Sequence, residues 1–220
     1  ARRVRSEAST SAIDPALVDR IETMYREAAL RPTFYVAHAF SDDALAALLA
    51  ARGYESSEDF GVFVGEVDAI LARAARPSSP VRLASPDARA MARALTGVEA
   101  GKSGEEDRLA ALFAHAELPM RLATVIDRPD HGTETIVAAA IAVLDGDLCS
   151  VHELVTASSQ RRRGHASALV CALVDAARRE GGTRACAQIA TANVASETLF
   201  RGLAFERVYG YRYMVAPSPR

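Results

Sequence analysis

The stretch that most constrains this chain is Leu154-Val-Thr-Ala-Ser-Ser-Gln160-Arg-Arg-Arg-Gly164-His-Ala-Ser167. An extended run delivers the backbone to a turn in which three arginines precede a glycine, and small residues then open a long helix. Behind the turn, Leu169, Val170, Leu173, Val174 and Ala177 fall on one helical face, and Glu180-Gly181-Gly182 ends it. A strand, a glycine turn and a helix start in that order suit anionic oxygen. The first N–H groups of a helix lack intrahelical partners, the macrodipole favours negative charge there, and a glycine lets backbone approach a pyrophosphate. Guanidinium groups add bidentate contacts to phosphate. The ligand expected at 160–167 therefore carries a diphosphate. Neither a Walker loop nor a three-glycine dinucleotide fingerprint occurs, and Gly101-Lys102-Ser103 lacks both the upstream glycine and the preceding strand of a P-loop.

The anion site must be local, because the net charge of the 220-residue chain is -2, without the basic excess of a nucleic-acid or membrane-surface protein. No apolar run approaches a membrane span, and the charged opening Ala1-Arg-Arg-Val-Arg5 is not followed by the apolar segment of a signal peptide. Cys149, Cys171 and Cys186 are read as reduced core thiols of a cytoplasmic protein. With His38, His115 and His131 they show no ligand spacing, so no metal site is expected.

Elsewhere, periodicity predicts a helix over 16–29 behind an Asp14-Pro15 cap, a short strand over 33–37, and a helix capped at 41–43 that ends at Arg52-Gly53. A strand over 60–67 follows. Arg76-Pro-Ser-Ser-Pro80 combines turn formers without periodicity and is read as a linker. Beyond it come a strand over 81–84, helices near 87–95 and 105–117, and strands over 120–126, 134–144 and 148–156, the last two joined by a hairpin at Asp145-Gly146. After the motif helix, a strand (184–189), a short helix (194–201) and a final strand (205–214) complete the order. The domains expected are 1–75 and 81–216, with 76–80 between them. Leu45–Glu55 and Glu197–Glu206 echo one another as a short helix, a small residue, an aromatic and a glutamate, which suggests two tandem halves of related design.

Residues 81–214 resemble the GNAT (Gcn5-related) N-acetyltransferase superfamily. Its signature, Arg/Gln-x-x-Gly-x-Gly/Ala, is matched by Arg161-Arg-Arg-Gly164-His-Ala166, and its later asparagine, short helix and aromatic ending by Asn193, Ala195, Leu199, Phe200 and Phe205. The resemblance implies an α/β (α+β mixed) fold: a twisted, mixed, mostly antiparallel sheet flanked by helices, splayed beside the motif strand with acetyl-CoA in the gap. It also implies transfer of the acetyl group to a primary amine by direct attack in a ternary complex. The cofactor-binding residues it implies are Leu154, Val155, Thr156, Arg161, Arg162, Arg163, Gly164, His165, Ala166, Ser167, Asn193 and Phe200. His165, at a variable position of the signature, is expected to be exposed and to contribute backbone alone. Two departures stand out. Phe200 occupies the place of the family's tyrosine acid, and Ala204 that of a glycine.

For a base, strand alternation lets one of His152 and Glu153 face the cleft; Glu153 is favoured, as sharing a face with Val151 and Val155. Tyr211, among the alternating Tyr209, Tyr211 and Tyr213, is held as a replacement acid. Residues 1–75 resemble a partial, non-catalytic GNAT-like unit within which the chain begins. The leading function is acetylation of a small-molecule amine. The alternatives are a degenerate acyl-CoA-binding sensor or scaffold without turnover, which Phe200 favours, and a protein N-acetyltransferase. The sequence leaves oligomeric state open, a homodimer included.

Overall fold

The computed structural model describes residues 14–38, 43–74, 80–98, 104–127 and 134–217. The elements are α1 (Pro15–Glu27), β1 (Thr33–Ala37), α2 (Asp43–Ala51), β2 (Glu55–Glu66), α3 (Val67–Ala72), β3 (Val81–Ala84), α4 (Ala88–Thr96), α5 (Glu105–Ala114), β4 (Met120–Asp127), β5 (Thr135–Asp145) and β6 (Leu148–Thr156). A single 3-10 turn (Ser158–Gln160) leads to α6 (His165–Arg179), followed by β7 (Arg184–Ala190), α7 (Val194–Gly202) and β8 (Glu206–Val215). The 76–79 stretch, the cap at 41–42, Gly101-Lys102-Ser103 and His131 lie outside the described residues. No described helix is long and apolar enough to cross a membrane.

Contacts divide the chain into two compact units. The larger comprises Phe63–Ile189 and Asn193–Glu206; the smaller takes the residues up to Val62, Ala190–Ala192 and the chain from Arg207 onward. This division does not run at 76–80, because Phe63, Val67 and Ile70 lie buried in the core of the larger unit. The helix α3 that carries two of them was not expected.

In the larger unit the strands stand in the order β7-β6-β5-β4-β3. The β3–β4, β4–β5 and β5–β6 pairs are antiparallel and β6–β7 is parallel, so the sheet is mixed and mostly antiparallel. Strand β5 shows how it is covered. Ala138, Ala140 and Ala142 share a core with Val67 and Ile70 of α3 and with Leu169, Leu173 and Val174 of α6. Ala139 and Ile141, between them in sequence, pack with Met91, Leu95, Leu109 and Phe113 of α4 and α5. Since successive side chains of a strand point to opposite faces, helices cover both faces of the sheet, which is why β5 reads as an unbroken apolar run. Each fully buried leucine in these layers contributes about 1.5–3 kcal/mol.

The β5–β6 turn is displaced by one residue from expectation. Asp145 pairs with Leu148, so the loop is Gly146-Asp147, and Gly146 takes the positive φ (58°) that the turn requires. This frees the Asp147 carboxylate to accept a hydrogen bond from Thr183 Oγ1 (2.8 Å) and to pair with Arg184, and these two contacts hold its pKa below the usual range. The start of β7 is thereby tied to the start of β6. Cys149 beside this turn is fully buried, and burial pushes its thiol up to about 12. It is a core thiol, as expected.

The smaller unit arranges its strands β1-β8-β2, with β1 and β8 antiparallel. Its core is Val18, Val36, Leu49, Tyr54, Met214 and Ala216. Helix α1 starts as the Asp14-Pro15 pair predicts, the Asp14 carboxylate accepting the Ala16 N–H at 2.9 Å.

Candidate functional site

The site begins where β6 and β7 part. Their parallel pairing runs from Leu148 opposite Arg184 to Val151 opposite Ala187 and goes no further. At the same level β6 also breaks step with β5. The register moves from Ile141 opposite His152 to Ala139 opposite Val155, so Ala140 alone faces both Glu153 and Leu154. This is a β-bulge, and Glu153 carries it at φ 50°, in the left-handed region. A non-glycine residue there costs roughly 1–2 kcal/mol, and such strain concentrates at functional sites.

The bulge changes which side chains share a face. Val151 and Leu154 pack on the α3/α6 side and Val155 on the α4/α5 side. Glu153 therefore does not share one face with Val151 and Val155, as simple alternation implied; it is exposed and lines the cavity described below. His152 lies opposite Ile141, whose side chain belongs to the α4/α5 core, and burial there lowers its pKa, with the Glu153 charge opposing. His152 is not among the cavity-lining residues. A depressed histidine pKa means the unfolded chain binds more protons than the folded one below about pH 6.5, the ordinary histidine value, so stability is full above that pH and declines as pH falls through the folded pKa. His152→Gln is accordingly expected to flatten the acid-side fall in melting temperature that begins near pH 6.5. Parallel pH–melting curves for the two proteins would remove His152 as its source.

Past Thr156 the chain makes the 3-10 turn and a tight bend, with Arg162 at φ 65° and Gly164 at φ 80°, before α6 starts at His165. The first intrahelical bond is Ala168 N–H to Gly164 C=O, 3.0 Å, and Gly164 offers no side-chain cap. The amides of His165, Ala166 and Ser167 thus point out of the helix end. They open on a cavity of about 700 Å³ whose described lining lies in the larger unit. One part of the wall is Leu154, Val155, Thr156, Gln160, Arg161, Arg162, Gly164, His165, Ala166 and Ser167; a second is Asn193, Ala195, Ser196, Thr198 and Leu199; a third is Leu95, Thr96, Glu105 and Leu109. Positive potential from the α6 dipole and from Arg161 and Arg162 converges on one end of this space. The Asn193 side-chain oxygen accepts the Ser196 N–H at 3.1 Å and caps α7.

Most residues named from the sequence meet here, with four differences. Arg163 is exposed but does not line the cavity. His165 is 6% exposed, against the expectation of an exposed residue, and its Nδ1 has no hydrogen-bond partner. Phe200 is turned into the core, 3% exposed and edge-on to Phe205 at 4.9 Å; Thr198 and Leu199 line the cavity instead. Tyr211 belongs to the smaller unit, stacked between Tyr35 (4.3 Å) and Phe60 (5.1 Å), its hydroxyl pushed up to about 12 by burial, and it does not line the cavity. Sequence reasoning missed the α4/α5 wall, since Leu95, Thr96, Glu105 and Leu109 form no local motif. Among the described residues no cluster of three metal-ligating side chains occurs.

The second departure from the family pattern has a direct structural result. Ala204 closes α7 at φ 64°, and the Phe205 N–H reaches back to the Phe200 carbonyl at 3.0 Å, the geometry that glycine normally supplies. Relief of about 1–2 kcal/mol of left-handed strain exceeds the entropic cost of glycine, about 0.4–1 kcal/mol. Ala204→Gly is therefore expected to stabilise the protein by up to about 1 kcal/mol in denaturant titration. A loss of stability would show that the alanine methyl is held by packing.

The architecture has counterparts among solved structures. The chain is similar to a GCN5-related N-acetyltransferase from Kribbella flavida (18% identity, TM-score 0.67, covering 94% of this chain and 78% of that one). It is similar also to a tandem GNAT protein from the clavulanic acid biosynthesis pathway (16%, 0.66, 100% and 73%). A third similar structure is a functionally unknown conserved protein from Staphylococcus epidermidis ATCC 12228 (10%, 0.65, 91% and 79%). At these identities the likeness is one of fold. No curated protein matches the chain. The sequence itself matches the family model "Acetyltransferase (GNAT) family" over residues 93–205, more than half its length and spanning the bulge, the arginine turn and α7. The chain belongs to the GNAT acetyltransferase family, whose chemistry is acyl transfer.

Proposed function

We propose that this protein transfers an acetyl group from acetyl-CoA to a primary amine of a small molecule, by direct attack while both substrates are bound. The observation that carries the reading is the conjunction of a parted β6–β7 pair with a helix N-terminus opening on one cavity. The donor set fits a pyrophosphate. The amides of His165, Ala166 and Ser167 are directed outward, the glycine at 164 has no side chain to intrude, and Arg161 and Arg162 add positive charge. Leu154, Val155, Thr156 and Asn193 line the same cavity and would hold the pantetheine arm. When bound, acetyl-CoA supplies an activated thioester.

The chain's own task is to strip a proton from the reacting ammonium and to hold it in place. Glu153, lifted out of strand alternation by the bulge and exposed on the cavity wall, is the base that supports this reading best. Among the described lining residues there is no tyrosine to protonate the leaving sulfur, so that proton comes from solvent. The smaller unit contributes none of the described lining, and we read it as non-catalytic. We read the protein as cytoplasmic, a reading that its three free cysteines support.

The test combines acetyl-CoA binding by calorimetry with release of free coenzyme A across a panel of amines. Binding with release on at least one small amine is expected. Binding without release on any acceptor would make the protein an acyl-CoA sensor, and release on peptides alone would move the acceptor class to proteins. No binding would remove the donor assignment.

A further inference from the structure

Among the described residues two buried side-chain atoms lack a hydrogen-bond partner, Arg212 Nε and His165 Nδ1. The first belongs to the smaller unit and stands 3.1 Å from an Asp59 carboxylate oxygen, so its charge is met by an ion pair. The second is different. His165 is more than nine-tenths buried, opens α6 and lines the cavity of about 700 Å³. A histidine kept for structure alone has its buried nitrogens satisfied, because an unpaired polar atom away from water destabilises the fold. This one is unpaired where a ligand would enter. Its place in the helix says which kind of ligand atom would pair with it. Side chains of a helix tilt toward its N-terminus, so the imidazole of the first residue leans over the end at which the amides of Ala166 and Ser167 open. Nδ1 is the ring nitrogen nearer the main chain and hence nearer those amides. The α6 dipole favours an anionic oxygen there, and an imidazole donates from Nδ1 in its Nδ1–H tautomer and in its protonated form alike. Two neighbouring side chains are already engaged, Arg161 donating from Nε to the Thr156 carbonyl and Gln160 from Nε2 to Asp127, each at 3.4 Å. His165 Nδ1 is not.

We propose that the His165 side chain, and not its backbone alone, binds the acyl donor, donating a hydrogen bond from Nδ1 to a diphosphate oxygen. This rests on the acetyltransferase reading above. The unliganded fold carries an unpaired Nδ1, and the donor supplies its partner, so part of the donor's affinity comes from relieving that atom. Because His165 stands at a variable position of the family signature, the contact is a property of this chain and not of the motif.

The experiment takes the full chain and compares the wild type with His165→Leu, His165→Asn and His165→Gln. It reads coenzyme A affinity by calorimetry, melting temperature without ligand, and the phosphorus NMR spectrum of bound coenzyme A. Leucine removes the polar atom at similar volume. It is expected to weaken coenzyme A binding about tenfold or more, the size of one charge-assisted hydrogen bond, while the ligand-free melting temperature stays equal or rises. The asparagine amide reaches as far as Nδ1 and should keep affinity within about threefold of wild type; the glutamine amide reaches as far as Nε2 and should lose as leucine does. The diphosphate resonances of bound coenzyme A should differ between the wild type and the leucine variant, with the ribose phosphate resonance in place. Equal affinity in the wild type and the leucine variant, or a resonance change confined to the ribose phosphate, would overturn the proposal. So would parallel losses of melting temperature and affinity in all three variants, the mark of a structural histidine. Absence of coenzyme A binding by the wild type would instead sink the donor assignment, and this contact with it.

Discussion

Gly164→Val is expected to weaken acetyl-CoA binding by about 100-fold or more while leaving a folded protein. Gly164 sits at φ 80°, ψ 2°, immediately before α6. A β-branched residue is a genuine outlier in that region, and even an unbranched one loses about 1–2 kcal/mol. The chain relieves the strain by leaving the conformation that directs the amides of His165, Ala166 and Ser167 into the cavity. Should it hold its shape instead, the new methyl groups stand where the diphosphate must approach those amides. Either route loses the anion contacts, and about 2.7 kcal/mol corresponds to the 100-fold change. Gly164→Ala, with strain but little bulk, should fall between the two, near tenfold. Calorimetry with acetyl-CoA reads the affinity, and a melting curve on the same sample separates it from global unfolding. The core faces of α6, with Leu169, Leu173 and Val174 buried, lie far enough along the helix to survive a disturbed first turn. A valine variant that melts lower but binds acetyl-CoA within threefold of wild type would show that the diphosphate does not sit at this turn.

The arginine turn was readable because its information is local: a strand, a glycine that must take positive φ and a helix start lie within fourteen consecutive residues. The mixed sheet was readable for a related reason, since apolar runs and turn formers punctuate it strand by strand. What escaped the sequence is what depends on pairing. A bulge is a mismatch in count between two strands, Ala140 against Glu153 and Leu154, and neither strand announces it alone. The face assigned to Glu153 from alternation therefore differs from the one the bulge gives it, and Glu153 lines the cavity. Phe200 failed by a rotation. It follows Leu199 on α7, and neighbouring helical residues point about 100° apart, so Leu199 meets the cavity while Phe200 meets Phe205 in the core. The aromatic ring that seemed a lost acid is a core residue. The boundary at 76–80 failed because turn composition marks a loop and not the limit of a hydrophobic core. Phe63, Val67 and Ile70 lie before it in sequence and inside the larger unit in space, so a fragment starting at residue 77 would lack part of its own core. Glu105 and the α4/α5 wall carry no spacing rule that links them to β6.

Glu153→Gln is expected to lower kcat by about 100-fold or more, the range for loss of a general base, with acetyl-CoA affinity changed by less than about twofold. The amide keeps the length and shape of the carboxylate and can occupy the same left-handed position, so the bulge and the parted strands remain; what disappears is the proton acceptor. The structure separates Glu153 from its neighbour in a way that makes the experiment decisive. Glu153 is exposed on the cavity wall, while His152 is half-buried opposite Ile141, on the face covered by α4 and α5. His152→Gln should therefore act on stability toward acid pH and change kcat far less. The two variants, measured for kcat, for acetyl-CoA binding and for melting temperature against pH, give opposite patterns if the bulge carries the base. A Glu153→Gln enzyme that keeps more than a third of wild-type kcat would move proton removal to bulk water. A large kcat loss in His152→Gln at unchanged melting temperature would move it to the imidazole, and with it the reason for the bulge. The strain of about 1–2 kcal/mol held at Glu153 would then have to be explained by the parting of β6 from β7 alone.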